Sequence, residues 1–186
     1  MSSRDTLPPD TVLATFARRA HDRRARVAAG LAAAERLCAA EAALLTPQRR
    51  RVLELLLAAG RPLRAYALVD RLAAGGHGVA PMTVYRALDF LLAHGLVHRI
   101  ESLAAYVACA RLPEPHPAPP RKPHGGYFLL CDGCGAAAEI EAPSLDAAAA
   151  EAARPLAFRI DRLTLEVHGL CRACGGGDDE GGGDAR

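Results

Sequence analysis

The sequence predicts an α+β protein in two parts, a winged helix-turn-helix domain followed by a small α/β domain closed by a four-cysteine zinc site. Three observations carry this. The first half is periodic at helical spacing and ends in two short alternating segments, which is the order of a winged helix. Residues 113–123, PEPHPAPPRKP, place six prolines in eleven residues; proline fixes φ and cannot join a helix or a sheet interior, so this stretch is an extended divider. Beyond it stand two CxxC pairs, Cys131 with Cys134 and Cys171 with Cys174. The expected organisation is a flexible basic extension over 1–24, the winged-helix domain over 25–112, the Pro-rich hinge over 113–123, the zinc-binding domain over 124–175 and a disordered acidic tail over 176–186.

In chain order, residues 1–15 read as loose. DRRARVAAGLAAAERLCAAEAA is a long Ala/Leu-rich helix with Val27, Leu31, Ala34, Leu37 and Cys38 along one face, and Cys38 reads as a buried core thiol. Thr46-Pro47 opens the next helix, because threonine caps free N–H groups and proline suits the first helical position. PQRRRVLELLLAAG then turns Val52, Leu53, Leu56 and Leu57 inward and stops at Gly60. AYALVDRLAAG is a third helix, and Pro81 opens a fourth, PMTVYRALDFLLAHG, ending at Gly95. LVHRIES and AAYVACA alternate around a tight SLA turn and read as a hairpin. After the divider, YFLLCDGCGAAAEIEA reads as two strands around the first CxxC, SLDAAAAEAARPL as a helix capped by Ser144, and FRIDRLTLEVHGLC as a strand running into the second CxxC.

Charge follows the same division. Residues 1–112 hold 16 Arg and 9 acids, a balance of +7, whereas residues 113–186 hold 7 Lys or Arg and 12 acids, a balance of −5. The front half is thus the candidate for a polyanionic partner. In a winged helix the helix after the turn enters the major groove, which points to Thr83, Tyr85 and Arg86; arginine offers a bidentate fork to guanine, and the other two reach phosphates or a thymine methyl. The run Arg49-Arg50-Arg51 could meet the DNA backbone. Three-helix bundles with a hairpin also serve as protein-docking modules, so by pattern alone both readings stand.

No stretch approaches the ~18 uninterrupted apolar residues of a membrane span. The first residues show neither an apolar h-region nor a small-residue cleavage site, so the expected location is cytoplasmic, with no membrane partner. Thiols stay reduced there, and the six cysteines read as metal ligands or buried thiols. Four thiolates in CxxC pairs suit a closed, tetrahedral, structural zinc site, which in a domain with a thin core supplies folding energy. A second set of donors, His98, Cys109, His124 and Glu139, straddles the divider. An ion held by all four would fix the angle between the two domains. By spacing alone the simpler reading is favoured, an exposed histidine, a buried cysteine and a solvated glutamate explaining each residue singly. There is no HExxH and no deaminase-type HxE…PCxxC pattern, which counts against a zinc-dependent enzyme.

The segments AERLC, LTPQR, APMTVYRALDFLLAHGLVHRIES, YVAC, FLLCDGCG and HGLCRAC, spanning about residues 34–175, resemble the ferric uptake regulator family of metal-sensing repressors, and within it the zinc uptake regulators. The resemblance implies a homodimeric repressor of zinc-uptake genes, with zinc as corepressor and an inverted-repeat operator in double-stranded DNA as target, the second domain being the dimerisation domain. It places a structural zinc on Cys131, Cys134, Cys171 and Cys174, and a regulatory zinc on His98, Cys109, His124 and Glu139, about two ions per chain. It adds Tyr66 to Tyr85 and Arg86 as DNA-contacting positions. Positions 125–130, GGYFLL, lack the His-rich cluster usual in iron- and peroxide-responsive relatives, and Cys109 adds a soft thiolate suited to zinc. Those relatives remain the alternative, with a zinc enzyme or a docking module behind them. Where the chain departs from the family, the Pro-rich hinge is long, so His116 competes with His124; His168, beside the second CxxC, is a candidate for a further metal site; and ARRAHDRRAR is additional. His21, His77 and His94 read as ordinary exposed residues.

Overall fold

The computed structural model describes residues 11–12, 21–76, 78–112 and 126–175. A two-residue strand, β1 (Thr11–Val12), precedes helix α1 (His21–Ala40), which packs on α2 (Pro47–Ala59). A second short strand, β2 (Leu63–Arg64), leads into α3 (Ala65–Ala74) and α4 (Pro81–Ala93). Strands β3 (Val97–Ile100) and β4 (Ala105–Ala108) form the expected hairpin, and β2 joins it in a three-stranded antiparallel sheet of order β2-β4-β3. That third strand went unread in the sequence, since two residues between Gly60 and a helix leave no alternation to detect.

Local chemistry explains the helix ends. The Thr46 hydroxyl accepts from Arg49 N–H, Pro47 takes the first turn, and Gly60 closes α2 in the left-handed region at φ 59°, where an L side chain would be strained. The core is built from one face of each helix: Leu31, Ala34 and Cys38 from α1, Val52, Leu53, Leu56 and Leu57 from α2, Leu68 and Leu72 from α3, and Val84, Ala87, Leu88 and Leu91 from α4. Cys38 is buried among them, and burial, reinforced by Glu41, pushes its thiol pKa up. His94 is not a free surface group as its sequence context suggested. It is half-buried, lies 2.5 Å from Glu41 and stacks on Phe90.

In the second half, strands β5 (Tyr127–Cys131) and β6 (Ala137–Glu141) run antiparallel around the first CxxC. Strand β7 (Leu165–Gly169) lies parallel to β5 and is reached through α5 (Pro143–Ala153) and a short 3₁₀ turn. With β1 at its edge this second sheet has the order β1-β6-β5-β7. Three expectations are corrected. Ser144 is not the N-cap of α5: Ala142, whose methyl group cannot cap, holds that position, and Pro143 starts the helix two residues early, since its fixed φ is already helical. The strand read over FRIDRLTLEVHGLC is formed only at Leu165–Gly169. Thr11–Val12, read as loose, pairs with β6, Thr11 opposite Glu141 and Val12 opposite Ile140; two residues again leave no periodic signal.

The two sheets meet. Ile100 of β3 packs in one buried cluster with Phe128, Leu130 and Ala137 of the second sheet, flanked by Leu103 and Val107. Among the described residues no helix is long and apolar enough to cross a membrane.

Candidate metal centres and nucleic-acid interface

The two CxxC pairs converge. One Sγ atom from each of Cys131, Cys134, Cys171 and Cys174 lies within 4.8 Å of the others. Cys134 and Cys171 stand 3.9 Å apart, far beyond the ~2.05 Å of a disulfide. Cys131 ends β5 and Cys171 follows β7, so the parallel pairing of those strands brings the pairs together. Backbone N–H groups of Cys171 and Cys134 aimed at Cys131 hold its thiol down to about 6, while hydrogen bonds to Cys171, Cys131 and Cys134 push Cys174 up. Glycine is required inside the first knuckle: a Cβ on Gly133 would sit 2.8 Å from Cys174 Cβ and 3.0 Å from its Sγ. Gly135 adopts φ +68°. Four soft donors at this separation fit a thiophilic ion such as zinc.

A second donor set lies where the sheets meet. His98 on β3, Cys109 just after β4 and Glu139 on β6 are all buried, with ligand atoms within 4.8 Å of one another. His98 Nε2 is 3.0 Å from Glu139 Oε1, and Ala110 N–H donates to Glu139 Oε2 at 2.8 Å. Phe128 meets the His98 ring edge-on at 5.4 Å between centroids. Burial, reinforced by the Glu139 carboxylate, pushes the Cys109 thiol up to about 12. A cavity of about 460 Å³ borders His98, lined by Val97, Arg99, Phe128, Arg162 and Thr164. Imidazole, thiol and carboxylate form a mixed N/S/O set that fits zinc, since an ion there would offset the cost of burying the carboxylate. His124, the fourth expected ligand, lies outside the described residues, as do His116 and His77; nor is the side chain of His21 described. His168 meets no metal-type cluster among the described residues; it contacts Asp132 and Ser102.

On the helical domain, α4 turns Val84, Ala87, Leu88 and Leu91 inward, which leaves Thr83 and Arg86 exposed one turn apart at its N-terminal end. Tyr66 on α3 is 67% exposed, while Tyr85 is partly buried against the core. The arginine run is partly committed within the chain: Arg49 donates to Leu44 C=O and lies over the Phe90 ring at 3.6 Å, and Arg50 pairs with Glu35. Arg51 is exposed. Sequence reasoning missed Glu166, whose carboxylate accepts from Glu101 N–H and Ser102 N–H at 2.7 and 3.0 Å. The available signal was alternation: Glu166 and His168 sit two apart in TLEVHG and share one face of a strand.

Comparison with known proteins agrees with this geometry. The sequence pattern of the ferric uptake regulator family matches residues 41–168. The zinc uptake regulation protein of Escherichia coli (strain K12) is 39% identical over 144 residues, covering 77% of this chain and 80% of that protein. Among solved structures, a zinc uptake regulator complexed with zinc and DNA superposes with a TM-score of 0.72 at 37% identity, covering 81% of this chain and 95% of that one. Holo XcZur superposes with a TM-score of 0.68 at 41% identity, covering 79% and 97%.

Proposed function

The chain belongs to the ferric uptake regulator family, and on that premise we propose that it is a zinc-responsive DNA-binding repressor of zinc-uptake genes, acting in the cytoplasm as a homodimer on an inverted-repeat operator. The observation that carries the zinc response is the meeting of His98 and Cys109, from the winged-helix part, with Glu139 of the second sheet. His124 completes this regulatory set in our reading, and the four cysteines form a separate structural site, giving about two ions per chain. His98, Cys109, His124 and Glu139 would hold the ion, which would supply positive charge to offset the buried carboxylate and thiolate.

The residues themselves do the rest. Glu139 holds the His98 ring and the Ala110 N–H together, so that both ends of the wing hairpin face β6. The Ile100 and Phe128 cluster forms the apolar part of the seam. Helix α4 joins β3 through only residues 94–96, so fixing β3 fixes the recognition helix. Thr83, Arg86 and Tyr66, with Tyr85 nearer the core, then face DNA as the reading positions. A second copy suits the apolar surface of the second sheet: α5 buries no residue within the chain, and Leu156, Phe158 and Leu170 are 79, 66 and 60% exposed. Members of the family regulate transcription, and neither donor cluster calls for catalysis. The test is a zinc titration with operator binding read in parallel: binding should rise as the second ion loads, and operator binding that ignores zinc would defeat the proposal.

A further inference from the structure

We propose that Glu166 and His168 are positioning residues that latch the wing turn to the zinc-bearing sheet and thereby set the orientation in which the recognition helices are presented. The inference rests on the zinc-dependent DNA-binding reading and adds a second attachment between the domains.

The ladder between β3 and β4 runs from Val97 opposite Ala108 to Ile100 opposite Ala105, so the N–H groups of Glu101 and Ser102 fall in the turn beyond it. Each finds an oxygen of the same carboxylate, Glu166 Oε1 at 2.7 Å from Glu101 N and Glu166 Oε2 at 3.0 Å from Ser102 N. Partial burial raises the Glu166 pKa, but the Ser102 side chain and the two backbone donors outweigh it and hold the carboxyl below its ordinary range. Two residues along the same strand face, His168 Nε2 lies 3.1 Å from Ser102 Oγ and Nδ1 lies 2.9 Å from Asp132 Oδ1. A carboxylate only accepts, so the ring donates from Nδ1 to Asp132, and Nε2 meets the Ser102 hydroxyl oxygen. Asp132 sits inside the first CxxC, and its own N–H donates to Gly169 C=O at 2.8 Å. The latch is therefore braced by the cysteine knuckle, and β7 carrying it is fixed by its parallel register with β5, Phe128 opposite Glu166 and Leu130 opposite His168.

Geometry explains why a second attachment matters. Glu139 ties His98 and Ala110 N–H at the open end of the hairpin, and Glu101 lies three residues beyond His98, about 10 Å along an extended strand. A hairpin held at its open end alone can still swing at its turn. One held at both ends, with Ile100 packed between them, has a fixed orientation. In a dimer reading two half-sites, that orientation decides whether both recognition helices meet the groove together.

The experiment selects a duplex from a random pool with zinc-loaded wild-type protein, then compares wild type with Glu166→Ala and Glu166→Gln, all matched for zinc content and for dimer mass. Glu166→Ala should bind that duplex on the order of tenfold more weakly. Glu166→Gln, which keeps one accepting oxygen, should lose less. Inserting one base pair between the half-sites should penalise both variants less than wild type. Wild-type affinity and spacing penalty in both variants at matched zinc would overturn the proposal. So would weakened binding with an unchanged spacing penalty, which marks a general loss rather than a loss of orientation. A wild-type protein that selects no duplex defeats the repressor reading itself, and the proposal with it, in an arm containing no variant.

Discussion

His98 Nε2 and Glu139 Oε1 lie 3.0 Å apart although they belong to different sheets, one in the wing and one beside the cysteine knuckle. A carboxylate is costly to bury alone; Glu139 is 4% exposed, accepts from Ala110 N–H and faces the imidazole of His98. The seam thus carries a polar contact that only one relative placement of the two parts provides.

Glu139→Ala removes the carboxylate that His98 and Ala110 N–H share. The expected result is loss of about one of two zinc ions per chain, retention of the cysteine-bound ion, and operator binding that no longer responds to zinc. Metal analysis beside a binding titration checks this. Full zinc content with a wild-type response would remove Glu139 from the switch.

The protonation state of Cys109 sets the pH dependence. With its thiol at about 12, it is protonated across the neutral range in the metal-free chain. Zinc needs the thiolate, so each ion bound at His98, Cys109 and Glu139 displaces about one proton from sulfur. The sign follows: affinity at this site rises with pH, roughly tenfold per unit, between about pH 7 and 8. Isothermal titration in buffers of different ionisation enthalpy counts the released proton directly, and a flat pH profile would refute the link.

Gly133→Ala probes the other centre. Its Cβ would press on Cys174 at 2.8 Å, against a side chain whose sulfur is one of the four donors. The knuckle must open or lose a ligand, so the variant should release zinc to a chelator far faster than wild type. Because the second sheet leans on that staple, thermal unfolding should shift down as well. An unchanged chelation rate would show that the knuckle gives way elsewhere.

What the sequence disclosed follows physical rules. Helices in the first half announced themselves because their buried positions repeat over successive turns and Thr46, Pro47 and Gly60 mark the ends. The cysteine cluster was legible because CxxC is a local pattern with one main use. The meeting of His98, Cys109 and Glu139 was not derivable from spacing, since their distance depends on how two sheets pack; family resemblance supplied it, and Ile100 against Phe128 is the packing that realises it. Strands β1 and β2 are too short for periodicity. Glu166 was hidden because its partners are backbone N–H groups, which every residue but proline carries.

Two residues of α4 separate folding from recognition. Leu88 is fully buried at the centre of the helical core, whereas Arg86, two positions earlier, is exposed beside Thr83. Leu88→Ala deletes buried methyl groups and leaves a cavity, which costs roughly 2–5 kcal/mol of stability. Arg86→Ala removes a side chain that packs outside the core and should leave the unfolding midpoint within error of wild type. Its effect falls on DNA: loss of a guanine fork costs roughly 1–3 kcal/mol in operator affinity and relaxes preference at one base position. Chemical denaturation and operator titration on the same two variants give a crossed pattern if α4 is the recognition helix. Arg86→Ala with full affinity and unaltered base preference would move the reading surface to another face of the domain.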